Sequence, residues 1–137
     1  MLKGIPHIIS ADLLKILAEM GEGDEILLAG ANFGASSHAK RLVRYSGVNI
    51  EALLPAILQV FPLAVDAMGS AFLLAYKDDT LWPPIWEFYR HLLSAVQPKS
   101  KISFIDQKEF YQKADNAFAI VATTEQALFS SIILRKK

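Results

Sequence analysis

Apolar residues recur at the spacing of an α-helix in three parts of the chain. The first predicted helix follows Ser10, whose hydroxyl can cap it, and Gly21 is expected to end it in a left-handed conformation. The second starts near Asn49, and Pro55 must either lie in its first turn or kink it. The third starts at Pro83–Pro84, since proline suits a first helical turn. Their apolar faces comprise Leu13, Ile16, Leu17 and Met20; Leu53, Leu54, Ile57, Leu58 and Phe61; and Ile85, Phe88, Tyr89, Leu92 and Val96.

Short apolar runs bounded by glycine or polar residues predict buried strands. The predicted strands are residues 25–29, 41–46, 71–76, 102–105, 118–122 and 128–134. Residues 32–37 and the segment starting at Asp78-Asp79 are expected to be loops, Ser46-Gly47 a turn, and residues 107–115 a short helix. Strands alternating with amphipathic helices indicate an α/β fold with a mostly parallel sheet between helical layers.

The chain has 137 residues, a length typical of one domain, and 53% of them are hydrophobic. The longest uncharged stretch, residues 52–65, is interrupted by two prolines and is too short to span a membrane. We therefore expect the surplus of apolar residues to be buried at a subunit interface. The N-terminal residues do not resemble a signal sequence. A cytoplasmic location fits the absence of cysteine.

Charge and residue types exclude several kinds of chemistry. Acidic and basic residues balance at 14 each, so no overall field attracts nucleic acid. The absence of cysteine excludes disulfides, thiol catalysis and cysteine-based zinc sites. His7, His38 and His91 lie far apart without metal-type spacing, so no metal site is predicted.

The stretch EMGEGDEILLAG, residues 19–30, places Glu22 between two glycines. A phosphate-binding loop needs a strand, then glycines, then a helix, but here the helix comes first and the strand follows. Glu22 and Asp24 would also repel a phosphate. From pattern alone, a solvated turn that ends a helix is favoured over a functional carboxylate.

Two other groups of residues are open to two interpretations. Ser36, Ser37 and His38 are adjacent, but a catalytic serine and histidine need a spatial arrangement rather than adjacency, so loop polarity is favoured. Trp82 and Trp86 border the third helix. Packing in the core or an interface is favoured over a stacking platform for a sugar ring.

Four segments together resemble the ribose pyranase and fucose mutarotase family, especially its fucose mutarotase branch. They are LKGIPHIISADLLKILAEMGEGDEI, DDTLWPPIWEFYRHLL, EFYQKADNAFAIVATTE and IILRKK. The resemblance covers nearly all of residues 1–137 and implies one domain with a three-layer α/β/α sandwich. It further implies a cytoplasmic, cofactor-free decamer that binds a free monosaccharide near a subunit interface. The implied reaction interconverts the anomers or ring forms of a reducing sugar.

The chain departs from the family pattern at the positions of the implied site. Glu22 replaces a histidine, and Gly30 replaces an aspartate at the end of the following strand. Four further replacements are Asn32 for histidine, Gln107 for arginine, Phe129 for tyrosine and Ser131 for asparagine. Asp24, Glu25, Tyr111 and Glu125 still match the pattern. The resulting pocket is expected to be more apolar than those of its relatives.

Three hypotheses follow from the resemblance and these replacements. In the first, the protein is a working mutarotase in which Glu22 is the acid/base and Asn32, Gln107, Tyr111, Phe129 and Ser131 form the sugar site. Mutarotation needs a base for the anomeric hydroxyl and an acid for the ring oxygen. An ionised carboxylate can act as the base but is a poor acid. In the second, the protein is an inactive sugar-binding or regulatory homologue. In the third, it is a scaffold that retains only the assembly.

Overall fold

The computed structural model of the protein describes residues 2–75 and 82–137. Its helices are α1 (Ala11–Glu19), α2 (Ala35–His38), α3 (Ile50–Leu58), α4 (Pro84–Val96) and α5 (Gln107–Asn116). Its strands are β1 (Glu25–Ala29), β2 (Leu42–Tyr45), β3 (Ala71–Leu74), β4 (Ile102–Ile105), β5 (Ala119–Thr123) and β6 (Ile132–Arg135). The predicted alternation of strands and helices is therefore confirmed.

The six strands form one sheet in the order β2-β5-β1-β6-β3-β4. β6 is antiparallel to β1 and β3, and the remaining neighbours are parallel. The parallel strands end at one edge of the sheet, and β6 begins there. This edge therefore collects the segments that follow β1, β2, β3 and β5 together with the segment that precedes β6.

Alternate side chains of each central strand face two separate hydrophobic clusters. Ile26 and Leu28 of β1 pack in the cluster that also contains the buried faces of α1, α3 and α4. Leu27 and Ala29 pack in the second cluster, with α2 and α5. Complete burial of one such leucine contributes roughly 1.5–3 kcal/mol. The two clusters make the structure a three-layer α/β/α sandwich, as the resemblance implies.

Local sequence signals explain where two of the helices begin. The Ser10 hydroxyl accepts a hydrogen bond from the Leu13 N–H at 3.1 Å and caps α1. The Asn49 side chain accepts one from the Ala52 N–H at 2.8 Å and caps α3. Pro55 lies beyond the first turn of α3, and the helix continues to Leu58.

The end of α1 differs from the prediction. Gly21 is not left-handed, because the chain leaves the helix in an extended conformation at Met20 and the positive φ, +83°, falls at Gly23. The Lys136 ammonium donates hydrogen bonds to the carbonyl oxygens of Leu17, at 2.9 Å, and Met20, at 2.6 Å. The Lys136 side chain thus provides hydrogen bonds to the last carbonyl oxygens of α1, in place of a glycine cap.

Three further segments show the largest remaining differences from the sequence predictions. The segment 32–37, predicted to be loop, contains the start of the short helix α2. The strand predicted at 128–134 begins only at Ile132, because residues 128 and 129 form a turn. The strand predicted at 71–76 ends at Leu74. Residue 76, the last of that predicted strand, and the loop predicted at Asp78-Asp79 lie outside the described residues.

Candidate functional site

A cavity of about 210 Å³ opens at the sheet edge where β1 and β3 end and β6 begins. Ligand sites in α/β proteins typically lie outside the carboxyl ends of parallel strands, and this cavity has that position. The residues that line it are Gly30, Ala31, Asn32, Phe33, Leu74, Phe110, Tyr111, Glu125, Ala127, Leu128, Phe129, Ser130 and Ser131. Apolar side chains predominate, with an amide, a carboxylate and hydroxyls among them.

The segment before β6 is held in place by α4. Phe129 has a left-handed backbone with a φ of 54°, which is uncommon for a bulky residue. The indole N–H of Trp86 donates to the Phe129 carbonyl oxygen at 2.9 Å, and the Tyr89 hydroxyl donates to that of Ser130. Burial raises the pKa of Tyr89, with a smaller contribution from the charge of Glu125, so the hydroxyl stays protonated. These bonds offset the backbone strain at the cavity wall.

Gly30 leaves space that Ser130 occupies. A Cβ atom at position 30 would lie 2.5 Å from the Ser130 Oγ, closer than real Cβ atoms approach any atom. The Gly30 N–H donates to the Ser131 Oγ at 2.9 Å, which ties the end of β1 to the start of β6. The two serine hydroxyls therefore lie next to Gly30, the position at which the resemblance implies an aspartate.

One side of the cavity is aromatic. The rings of Phe33 and Tyr111 stack with centroids 5.5 Å apart and planes inclined by 13°. His38 packs against both rings, at 5.4 and 5.3 Å between centroids. Its Nδ1 lies 2.5 Å from the Asp115 carboxylate, and this contact joins α2 to α5. Adjacent Ser36, Ser37 and His38 do not form a serine–histidine hydrogen bond in the described residues.

Glu125 is a cavity residue that the predicted site omitted. Its carboxylate accepts hydrogen bonds from the backbone N–H groups of Ile50, at 3.2 Å, Gln126, at 3.1 Å, and Ala127, at 3.3 Å. These donors fix a carboxylate at the cavity wall, and a carboxylate has about four acceptor positions. The signal that could have identified it is its position two residues after β5, at the carboxyl edge of the sheet.

Four of the predicted site residues meet in this cavity: Asn32, Tyr111, Phe129 and Ser131. Gln107 is exposed in the first turn of α5 and does not line the cavity. Glu22 is exposed in the turn that precedes β1, at the opposite edge of the sheet. The five residues of β1 span roughly 16 Å at about 3.3 Å each, so within one chain Glu22 is remote from the cavity.

The two tryptophans have different surroundings. Trp86 is buried and packs edge-on against Phe129, with 6.3 Å between ring centroids. It therefore contacts the cavity wall through Phe129 without lining the cavity. Trp82 is 48% exposed and packs against Trp86 and the exposed Phe104. Neither tryptophan lines the cavity described above.

The described residues contain neither a metal-binding cluster nor a membrane-spanning helix. Among residues 2–75 and 82–137, no group of three or more histidine, aspartate or glutamate side chains could hold a metal ion. None of the helices in these ranges combines the length and hydropathy needed to cross a bilayer.

Comparisons with known proteins agree with this fold. The model of the RbsD / FucU transport protein family matches residues 3–137. The structure of a fucose mutarotase from Streptococcus pneumoniae, solved in complex with L-fucose, is 42% identical over 98% of this chain and 97% of that chain, with a TM-score of 0.91. FucU from Bifidobacterium longum is 38% identical over the same shares, with a TM-score of 0.90. Bacillus subtilis RbsD complexed with D-ribose shares the fold, with 18% identity over 99% of this chain and 97% of that chain and a TM-score of 0.75. The chain therefore belongs to the RbsD/FucU family, which includes the fucose mutarotases.

Proposed function

We propose that the protein binds a free reducing monosaccharide, fucose-like in shape, in the cavity at the end of β1 and interconverts its anomers. The observation that carries this proposal is the composition of the cavity wall. The stacked Phe33 and Tyr111 face a region that contains Asn32, Glu125 and Ser131. A pyranose has a matching division, with an apolar ring face and hydroxyls around its edge. A fucose mutarotase that is 42% identical was solved with L-fucose, which supports the same ligand class here.

The size of the cavity also favours a small ligand. Sites for drug-sized molecules are typically about 300–1,000 Å³, whereas this cavity is about 210 Å³. The Glu125 carboxylate can accept a hydrogen bond from a sugar hydroxyl, while the Asn32 amide can donate or accept one. Gly30 contributes no side chain, so orientation of the sugar depends on these remaining polar groups and on the aromatic wall.

Mutarotation requires proton removal from the anomeric hydroxyl and proton delivery to the ring oxygen. We assign the acid/base role to Glu22 of a second copy of the chain, since Glu22 of the same chain lies at the opposite edge of the sheet. This assignment requires a homo-oligomer in which the turn at residues 21–24 of one copy covers the cavity of another. The decamer implied by the family resemblance is the assembly that we propose, and Gln107 would then contact the sugar only across the same interface.

Saturation-transfer NMR between α and β anomer signals tests the proposal. Fucose, ribose, galactose and glucose are each mixed with the protein, and exchange is compared with the rate in buffer. We expect faster exchange for at least one sugar and a reduction of up to about 10²–10⁴-fold in Glu22→Gln, the usual contribution of a general acid/base. Glu109→Gln is a matched control, because Glu109 is an exposed glutamate on α5 outside the cavity.

The absence of exchange for every sugar would contradict the catalytic proposal. Equal exchange in the wild type and in Glu22→Gln would contradict the assignment of Glu22 alone. Molecular mass in solution, measured by light scattering, provides the structural check, because a monomer could not supply Glu22 to a cavity.

A second candidate is an inactive homologue that binds a sugar for sensing or regulation. The observations that favour it are the missing side chain at Gly30 and the apolar ring at Phe129, which leave fewer groups to handle protons. It predicts that a sugar raises the melting temperature without accelerating exchange. Ligand at 100 times its Kd stabilises a protein by about 2.7 kcal/mol, an effect that thermal unfolding detects readily.

A further inference from the structure

Arg44 differs from the other three arginines of the chain in its surroundings. Arg41 donates a hydrogen bond to the Phe118 carbonyl oxygen. Arg90 pairs with the Glu87 carboxylate, and Arg135 pairs with the Asp66 carboxylate. Within residues 2–75 and 82–137, Arg44 has neither a hydrogen bond nor an ion pair. An arginine without a protein acceptor retains all five N–H donors for a ligand.

Arg44 is exposed and lines a second cavity, of about 170 Å³. Arg44 pairs in register with Ala122 of β5 and alternates with the buried Val43 and Tyr45, which face the other side of the sheet. The cavity thus lies on the α2 side of the sheet, at the carboxyl ends of β2 and β5. Its volume is far above the roughly 10–15 Å³ that one water molecule requires.

The lining of this cavity suits an anion. It comprises Gly30, Ala31, Phe33, Gly34, Ala35, Ser36, Arg44, Ser46, Ala122, Thr123 and Thr124, with no aspartate or glutamate. The Thr123 hydroxyl already donates to the Ala29 carbonyl oxygen at 2.7 Å. The hydroxyls of Ser36 and Ser46 make no hydrogen bond within the described residues and are available as donors. One positive charge and two free hydroxyls therefore line the cavity, and none of its described lining residues is acidic.

We propose that this cavity binds a phosphate group through Arg44, Ser36 and Ser46. The planar guanidinium fork matches two oxygens of a phosphate, and charge-assisted hydrogen bonds are the stronger class. The phosphate can be inorganic, or it can be the phosphoryl group of a monosaccharide phosphate. Gly30, Ala31 and Phe33 line both this cavity and the proposed sugar cavity, so the two lie on either side of one short segment.

Amide-detected NMR titration of the full chain with inorganic phosphate at constant ionic strength tests the proposal. We expect saturable shifts at residues 35–36, 44–46 and 124, and a Kd that rises about tenfold or more in Arg44→Gln. Arg44→Lys retains the charge and should weaken binding less. Arg90→Gln is the matched control, because it removes the same charge from an exposed arginine outside the cavity. Thermal unfolding of each variant verifies that it is folded.

Two further titrations distinguish the sources of phosphate. A monosaccharide 1-phosphate that binds more tightly than both phosphate and the free sugar would show that the two cavities take one ligand. Equal affinity for phosphate and the sugar phosphate would show that inorganic phosphate is the ligand. These readouts do not depend on anomer exchange, so the failure of the proposed mutarotase activity would leave them intact.

Three results would overturn the phosphate site. One is the absence of saturable shifts at these residues, and another is an equal loss of affinity in Arg44→Gln and Arg90→Gln. The third is a fall in molecular mass in Arg44→Gln with phosphate binding unchanged, which would identify Arg44 as a subunit contact.

Discussion

The contact between Gly30 and Ser130 gives the sharpest prediction of stability. In Gly30→Ala the new methyl carbon would lie 2.5 Å from the Ser130 Oγ, whereas ordinary contacts of this kind are 3.4–4 Å. Overpacking of this kind typically destabilises a protein by about 1–3 kcal/mol. Gly30 does not have a positive φ, so alanine is allowed there and restricts the unfolded chain, a gain of about 0.4–1 kcal/mol. The net loss should be about 1 kcal/mol.

Removal of the Ser130 hydroxyl should reverse the sign of this effect. The next atoms met by a Cβ at position 30 are the Glu125 carbonyl oxygen at 3.5 Å and the Ser131 Oγ at 3.7 Å, both ordinary contacts. In a Ser130→Ala background, Gly30→Ala should therefore stabilise the protein. The double-mutant cycle should give a coupling energy of about 1–3 kcal/mol.

Urea unfolding of the four proteins measures the coupling, and thermal unfolding provides an independent check at roughly 2–4 °C per kcal/mol. Gly34→Ala is the control, because a Cβ there meets only the Ser37 side chain at 3.8 Å or more. A neutral Gly30→Ala with no coupling to Ser130→Ala would refute the inference that the Ser130 hydroxyl occupies the space next to Gly30.

Two further substitutions test the hydrogen bond from Tyr89 to the Ser130 carbonyl oxygen and the ion pair between Asp66 and Arg135. Tyr89→Phe should lower stability at pH 7 by about 1–3 kcal/mol in urea unfolding, because the buried Ser130 carbonyl loses its donor. Burial raises the pKa of Tyr89, so the wild type should lose stability above about pH 10, where the tyrosine of the unfolded chain ionises. Tyr89→Phe should lose less stability over the same range. Identical dependence of the unfolding free energy on alkaline pH in the two proteins would contradict this. The hydrogen bond from Arg135 lowers the pKa of Asp66, so the contribution of this ion pair to stability is present above about pH 4 and disappears as the pH falls below that. Urea unfolding at pH 7 and pH 3 should therefore show a smaller loss of stability at pH 3 in Asp66→Asn than in the wild type. An equal loss in the two proteins would contradict the stabilising role of the Asp66–Arg135 pair.

The fold was largely predictable because its signals are local. Residues 26–29 are an unbroken apolar run, and the predicted bounds of that strand, 25–29, equal those of β1. Ser10 and Asn49 cap helices through contacts three residues away, which a sequence displays directly.

Two of the failures have a different origin, since each depends on a partner distant in sequence. Lys136 ends α1 across more than 100 residues, so Gly21 was not needed as a left-handed cap. Leu128 is apolar yet 74% exposed, and Phe129 is held in a left-handed turn by Trp86, 43 residues earlier. An apolar run therefore suggested a strand where the chain forms the cavity wall.

The candidate site was predictable only in part for the same reason. Asn32, Tyr111, Phe129 and Ser131 meet in one cavity because the ends of neighbouring strands meet at one edge of the sheet. Glu125 follows β5 by two residues and matches the pattern of the resemblance, but the three backbone donors that fix its carboxylate are visible only in the structure. Whether Glu22 reaches a cavity depends on a second copy of the chain, which no pattern within one sequence specifies.

A crystal structure of the protein soaked with the monosaccharides of the exchange experiment tests the central proposal most directly. The account predicts a sugar in the cavity, with its apolar face against Tyr111 and its hydroxyls near Glu125 and Ser131. It also predicts the Glu22 carboxylate of a neighbouring copy within hydrogen-bonding distance of the anomeric hydroxyl. A sugar bound elsewhere, or a Glu22 surrounded by bulk solvent in every copy while sugar fills the cavity, would contradict it.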